Sequence, residues 1–236
     1  MRDKSVFRFK QFNIRHSHAT MKVGTDGVLL GAWAGIENTK RILDVGTGTG
    51  VIALMLAQRT SPDAHIDAID ISAEDCEVAQ QNVAQSPWPE KIKVHHAALQ
   101  EYFSEPYDLI VSNPPYFINS YKPPTEKRIQ ARHTEQLSFA DLLTAAGRLL
   151  TPSGSLQVVL PCTEGLQLIM LAERHALYCA RKWSFRTRAN KPIERLLLEF
   201  SRQKRTVNEG EILLYDTADE WSDQYRLLTR DFYLKL

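Results

Sequence analysis

Apolar positions along this chain fall into two kinds of segment that take turns. Short, nearly continuous runs read as strands: Arg41-Ile-Leu-Asp-Val45, His65-Ile-Asp-Ala-Ile-Asp70, Lys91-Ile-Lys-Val-His-His-Ala-Ala98, Tyr107-Asp-Leu-Ile-Val-Ser112 and Ser155-Leu-Gln-Val-Val-Leu160, the last opened by Gly154. Between them apolar residues return at helical spacing. Val51 to Gln58 forms one helix, Ser72 caps another through Asn82 to Ser86 until Pro87 and Pro89 stop it, and Ser138 caps a third that ends at Leu150. A helix across Glu164 to His175, a strand near Leu177 to Ser184 and an apolar strand Arg195 to Ser201 continue the alternation. At the front, Val6, Phe7, Phe9 and Phe12 alternate with polar residues as in a short strand, and Thr25 or Asp26 is placed to cap a helix over Val28 to Trp33. Trp221 to Leu236 is expected to form a helix that seals an edge or lies on the core.

Strands that alternate with helices imply an α/β fold built on a mainly parallel sheet with right-handed crossovers. Ligands of such sheets sit at the carboxyl ends of the strands. Three stretches fall there: Gly46 to Gly50, Asp70, and Asn113 to Tyr116.

Gly46, Gly48 and Gly50 alternate where the first core strand ends and a helix begins, which frees the backbone to take positive φ and lets a bound molecule approach without meeting a Cβ. Asp70 follows about 20 positions later, where a doubly wound fold places the carboxylate that accepts from a ribose diol. Two marks of a dinucleotide site are missing. The third fingerprint glycine would fall at Val51 or beyond, and Asp44 would repel a pyrophosphate while suiting an ammonium group. A nucleoside joined to an amino acid, S-adenosylmethionine, satisfies both ends.

Asn113-Pro114-Pro115-Tyr116 is the most specific signal in the chain. Two prolines remove backbone donors and stiffen the loop, so the Asn113 amide and the Pro114 carbonyl oxygen become fixed acceptors for a planar amino group. Such an amine is a poor nucleophile, and two acceptors favour the charge-developing transition state. Tyr116 would stack on the planar group and hold it in line.

These residues carry a resemblance. Asp44-Val-Gly-Thr-Gly-Thr-Gly50, Asp70 and Asn113-Pro-Pro-Tyr116 are similar to the motifs of class I S-adenosylmethionine-dependent N-methyltransferases, with the Rossmann-like fold of that class. Met21 to Trp33, Ala53 to Thr60, Gln81 to Trp88 and the closing Phe232-Tyr-Leu resemble the bacterial tRNA-Val (adenine-37 N6)-methyltransferase family over essentially the whole chain. The resemblance implies a seven-stranded, mainly parallel sheet whose last strand is antiparallel, with helices on both faces. It implies S-adenosylmethionine as methyl donor and the adenosine 3′ of the anticodon as acceptor. The catalytic set is then Asn113, Pro114, Pro115 and Tyr116, and the cofactor-binding set is Lys22, Thr25, Asp26, Asp44, Gly46, Gly48, Gly50, Asp70, Ile71, Ala98, Leu99 and Asn113. One departure stands out: where such enzymes commonly carry an aspartate for the cofactor's adenine, this chain has Ala98. The same tetrad serves enzymes that methylate protein glutamine, DNA adenine or rRNA guanine. Only about 40 residues precede the first core strand, too few for the helical domain of a glutamine methyltransferase of release factors, and there is no room for a DNA target-recognition domain.

Composition adds limits. The 236 residues, 43% hydrophobic and 24% charged, suit one domain: an arm and cap helix over 1–40, a catalytic core over 41–205 and a strand and helix extension over 206–236. Cys76, Cys162 and Cys179 are odd in number and far apart, which fits small core residues in a reducing cytoplasm. No run is long and apolar enough to span a bilayer, His95 and His96 point to opposite faces of a strand rather than to a shared metal, and a monomer is expected. The net charge of +1 hides two basic segments: Arg2, Lys4, Arg8, Lys10, Arg15 and Lys22 near the start, and the run from Arg181 to Arg205. Interleaved with aromatics, both are candidates to hold tRNA phosphates, as is the stretch 119–135 with Lys122, Lys127, Arg128 and Arg132.

Overall fold

The computed structural model describes residues 5–16, 19, 22–114 and 137–234. Their centre is an eight-stranded sheet. In chain order the strands are β3 (Arg41–Val45), β4 (His65–Asp70), β5 (Ile92–His96), β6 (Tyr107–Ser112), β7 (Leu150–Pro161), β8 (Tyr178–Arg186), β9 (Arg195–Ser201) and β10 (Asn208–Leu213). They lie side by side as β10-β8-β9-β7-β6-β3-β4-β5. Only β9 runs against its neighbours. Seven strands with an antiparallel member are the expected sheet; β10, parallel to β8 at the far edge, is an eighth.

Each central strand alternates its apolar residues between two cores. Ile42, Ile66, Leu109 and Val111 face one, beneath α1 (Thr25–Trp33) and α2 (Val51–Arg59). Leu43, Val45, Ile69 and Ile110 face the other, beneath α4 (Phe139–Leu149) and α5 (Cys162–Ala172). Burial on both faces explains why these strands read as near-continuous apolar runs. The helix α3 (Ala73–Ala84) lies beside α2, close enough that a Cβ on Gly50 would sit 3.5 Å from the Ala79 side chain.

Local chemistry accounts for most boundaries. Ser72 and Ser138 cap α3 and α4 by accepting from the amides of Asp75 and Asp141, each at 3.1 Å, and Asp141 returns the bond to complete a capping box. The cap of α1 is a correction to the expectation: it is Gly24, with no side-chain bond, while Thr25 and Asp26 lie inside the first turn. Asp26 is drawn away by Arg195, 2.8 Å off. In β7 the strand starts at Leu150, ahead of Gly154, because a shift in register between Tyr107 and Leu109 of β6 absorbs the intervening residues.

The ends of the chain meet. β1 (Val6–Arg8) and β2 (Asn13–Arg15) form an antiparallel hairpin, and Phe9 bridges Tyr233 after the short helix α6 (Asp223–Thr229). The Lys10 amide donates to the Phe232 carbonyl at 2.8 Å. Stacked and tilted rings of Phe7, Phe9, Phe12, Trp221, Tyr225 and Tyr233 fill the seam.

Candidate active site

β4 and β5 lie to one side of β3 and β6 to the other, so the connections diverge at the carboxyl end of β3 and open a crevice there. A cavity of about 560 Å³ occupies it, within the range that holds a small-molecule ligand.

Its floor is the glycine turn. Gly46, Gly48 and Gly50 have φ of 70°, 53° and 79°, in the left-handed region that side chains resist. A Cβ on Gly46 or Gly48 would project into open space, so the wall there is bare backbone. The turn is held from β4: the amides of Gly46 and Thr47 donate to the Ile69 carbonyl at 2.9 and 3.0 Å. Asp70 closes the other side, its carboxylate accepting from the Gly48 amide at 2.9 Å and from the Ser72 amide at 3.0 Å. Each carboxylate oxygen keeps lone pairs for a ligand.

Asp44 differs from expectation. Side chains alternate along a strand, so with Leu43 and Val45 turned to the α4 face, Asp44 points beneath α2 and does not line the cavity. It is fully buried, and its Oδ2 accepts from the Thr47 hydroxyl at 2.7 Å and the Ala53 amide at 3.2 Å, while Oδ1 has no hydrogen-bond partner among the described residues. Burial pushes its carboxyl up from 3.8 to about 7, against the pull of those two donors. Its place is as a brace between the turn and the first turn of α2.

The remaining walls follow from the strand ends. Ile71, half exposed, faces Ala98 and Leu99 across the β4 and β5 end, with Gln100 beside them. His96 Nε2 at 2.9 Å from the Ile71 carbonyl fixes that loop. Lys22, Thr25 and Asp26 border the cavity at the start of α1. Asn113 and Pro114 enter at the end of β6. Ser112, which the sequence does not single out, sets their height: it is fully buried and its hydroxyl donates to the Val45 carbonyl at 2.9 Å, tying β6 to β3 at the last residue of each. Phe185, Thr187, Glu194 and Leu214 from the β8, β9 and β10 ends add a wall that the sequence reading also missed. The only sequence signal for that wall is its place at strand ends. Pro115 and Tyr116 lie outside the described residues, as do Lys122, Lys127, Arg128 and Arg132.

His95 and His96 point to opposite faces, His95 to Asp67 at 2.9 Å, and among the described residues no cluster of His, Cys, Asp or Glu is arranged to hold a metal. Cys76 is buried and Cys162 and Cys179 partly so, all three as free thiols. No described helix is long and apolar enough to cross a membrane.

The basic run on β8 and β9 is already engaged. Arg181 and Arg205 both pair with Glu199, at 3.2 and 2.8 Å, Lys182 pairs with Glu209 and Arg186 with Glu211 at 2.7 Å, Arg188 pairs with Asp219, and Arg195 with Asp26.

A glycine turn feeding a helix, a carboxylate at the next strand end and a fixed amide at the switch point define a Rossmann-like nucleoside-binding enzyme. The fold is shared with a crystal structure of a predicted O-methyltransferase from Agrobacterium tumefaciens, at a TM-score of 0.67 and 17% identity over 88% of this chain and 96% of that one. It is shared too with a ribosomal protein L11 methylase from Lactobacillus delbrueckii, at 0.58 and 17% over 81% and 84%. The methyltransferase small domain family matches residues 9–178. Curated relatives named tRNA1(Val) (adenine(37)-N6)-methyltransferase are 44% identical in Aeromonas hydrophila and 46% in Parabacteroides distasonis, each covering 98% of both chains. The chain belongs to this methyltransferase family.

Proposed function

We propose that this chain transfers a methyl group from S-adenosylmethionine to N6 of an adenosine in tRNA, adenosine 37 of a tRNA-Val. The observation that carries the reading is the pairing, across one crevice, of the bare glycine floor and Asp70 with Asn113 and Pro114. The residues fit the cofactor. The Gly46 and Gly48 backbone takes its close approach, the Asp70 carboxylate accepts from its ribose hydroxyls, and Lys22, Thr25 and Asp26 border its amino-acid end. Ile71 and Leu99, on the cavity wall, would flank its adenine. Ala98 supplies no side-chain acceptor; Gln100, whose Nε2 is 3.4 Å from Asp141, keeps its amide oxygen for the adenine amino group.

The bound sulfonium supplies an electrophilic methyl carbon. Asn113 Oδ1 and the Pro114 carbonyl oxygen accept from the two N–H groups of the substrate amine and favour the pyramidal geometry in which its lone pair forms the new N–C bond. As methyl donor the cofactor would keep the bonding electrons on its sulfur, and the methylated amine would give its extra proton to solvent. No strong base is required. Tyr116, next in the motif, is assigned to stack on the base. Three free thiols support a cytoplasmic setting.

The test is incubation with labelled S-adenosylmethionine and RNA from cells lacking the enzyme, followed by nucleoside analysis of isolated tRNA-Val. N6-methyladenosine at position 37 is expected; no label in tRNA-Val, or label at another base, would overturn the substrate.

A further inference from the structure

We infer that the solvent face of the β1–β2 hairpin, and not the longer basic run of β8 and β9, is the main phosphate-binding surface for the RNA substrate; this rests on the proposed tRNA methylation. The register of the hairpin places Val6 opposite Arg15 and Arg8 opposite Asn13. Arg8 and Arg15 are therefore diagonal neighbours on one face, and Phe7 and Ile14 take the other, with Ile14 fully buried. Both arginines are exposed, and neither makes an ion pair among the described residues. Two like charges set diagonally with no acid between them repel, which an anionic ligand relieves. On β8 the opposite holds: Arg181, Lys182 and Arg186 pair with Glu199, Glu209 and Glu211, and Arg188, just beyond the strand, pairs with Asp219.

The hairpin is also registered to the active site. Asn82 of α3, 1% exposed, treats Arg15 as a strand partner: its Oδ1 accepts from the Arg15 amide at 2.8 Å and its Nδ2 donates to the Arg15 carbonyl at 3.0 Å. The second Nδ2 proton goes to the Thr49 carbonyl, 2.9 Å away in the glycine turn. One amide thus joins the arginine-bearing strand to the cofactor floor. Lys22, an exposed lysine, lies on the cavity rim. Phosphates held at Arg8 and Arg15 are thereby tied, through Asn82, to the turn that floors the cavity Asn113 borders.

The experiment measures binding of a tRNA-Val transcript to three full-length proteins across a salt series: wild type, Arg8→Ala/Arg15→Ala, and Lys93→Ala/Arg174→Ala. The last pair is exposed, makes no ion pair among the described residues, and lies at the amino-end side of the sheet, so it removes the same charge far from the crevice. The hairpin double variant is expected to bind about tenfold more weakly at physiological salt, with the log–log salt slope shallower by about 2, and the distal variant to stay within twofold of wild type. Calorimetric affinity for S-adenosylmethionine should be unchanged in all three, which reports that the hairpin variant is folded. Unchanged RNA affinity and slope in the hairpin variant, or equal losses in both variants, would overturn the inference. Failure of wild type to methylate tRNA in the nucleoside assay would strike the underlying function instead.

Discussion

At the scale of single residues, three side chains separate binding from chemistry. Asp70 bonds the Gly48 and Ser72 amides and borders the cavity, so Asp70→Ala removes a charge-assisted acceptor worth roughly 1.5–3 kcal/mol. Calorimetric titration should show S-adenosylmethionine binding weakened by about tenfold or more. Asn113→Ala should retain cofactor affinity and lower the single-turnover methylation rate by on the order of 10²–10³, the usual loss for one aimed hydrogen-bonding group. Asp44 predicts a pH effect. Its carboxyl sits near 7 in the folded chain against 3.8 when exposed, so the folded state holds the proton more tightly. The stability this lends is complete below about pH 4 and is lost as pH rises through 7, on the order of 4 kcal/mol. Asp44→Asn should flatten that part of the profile in denaturant titrations run at pH 4 and pH 8. The role of Asp44 was the least legible in the sequence. Its spacing is that of a ligand-facing acid, and only the side to which β3 turns its side chains shows that it braces the turn from below.

At the scale of elements, sequence and structure agree best where the local chemistry is strong. β6 and β9 occupy the expected Tyr107–Ser112 and Arg195–Ser201, and Ser72 and Ser138 cap as expected, because continuous apolar runs and capping hydroxyls act over a few residues. Where a partner decides, the sequence is mute. β10 falls in the strand and helix extension expected over 206–236, but its polar Asn208, Glu209 and Glu211 do not say which strand it joins; it pairs with β8 through backbone and ion pairs. The partner of Asp26 in α1 is likewise Arg195, far away in sequence. The approach of α1 to α2 is set by Gly31: a Cβ there would sit 2.7 Å from Met55 Sδ and 3.0 Å from its Cβ. Gly31→Ala should push the helices apart at a cost of about 1–3 kcal/mol, seen as a Tm lower by roughly 2–4 °C per kcal/mol. Because α1 borders the amino-acid end of the cavity, cofactor affinity should fall with it.

At the scale of the whole molecule, the seam between the chain ends decides whether the hairpin is in place. Phe232 is 2% exposed and its carbonyl accepts from Lys10. Phe232→Ala should cost about 3–5 kcal/mol, the loss typical of a buried ring. Hydrogen exchange should then speed first at Phe9 and Lys10, ahead of the central strands. The same seam orders events during synthesis. Phe9 bridges Tyr233, far later in the chain, so the seam closes only after Tyr233 has left the ribosome. At about 5–20 residues per second the interval from Phe9 to Tyr233 is on the order of 10–50 s, during which Asn82 can hold the Arg15 strand while the seam at Phe9 stays open. A chain still being translated therefore has its cofactor floor before the two sides of its aromatic seam are joined.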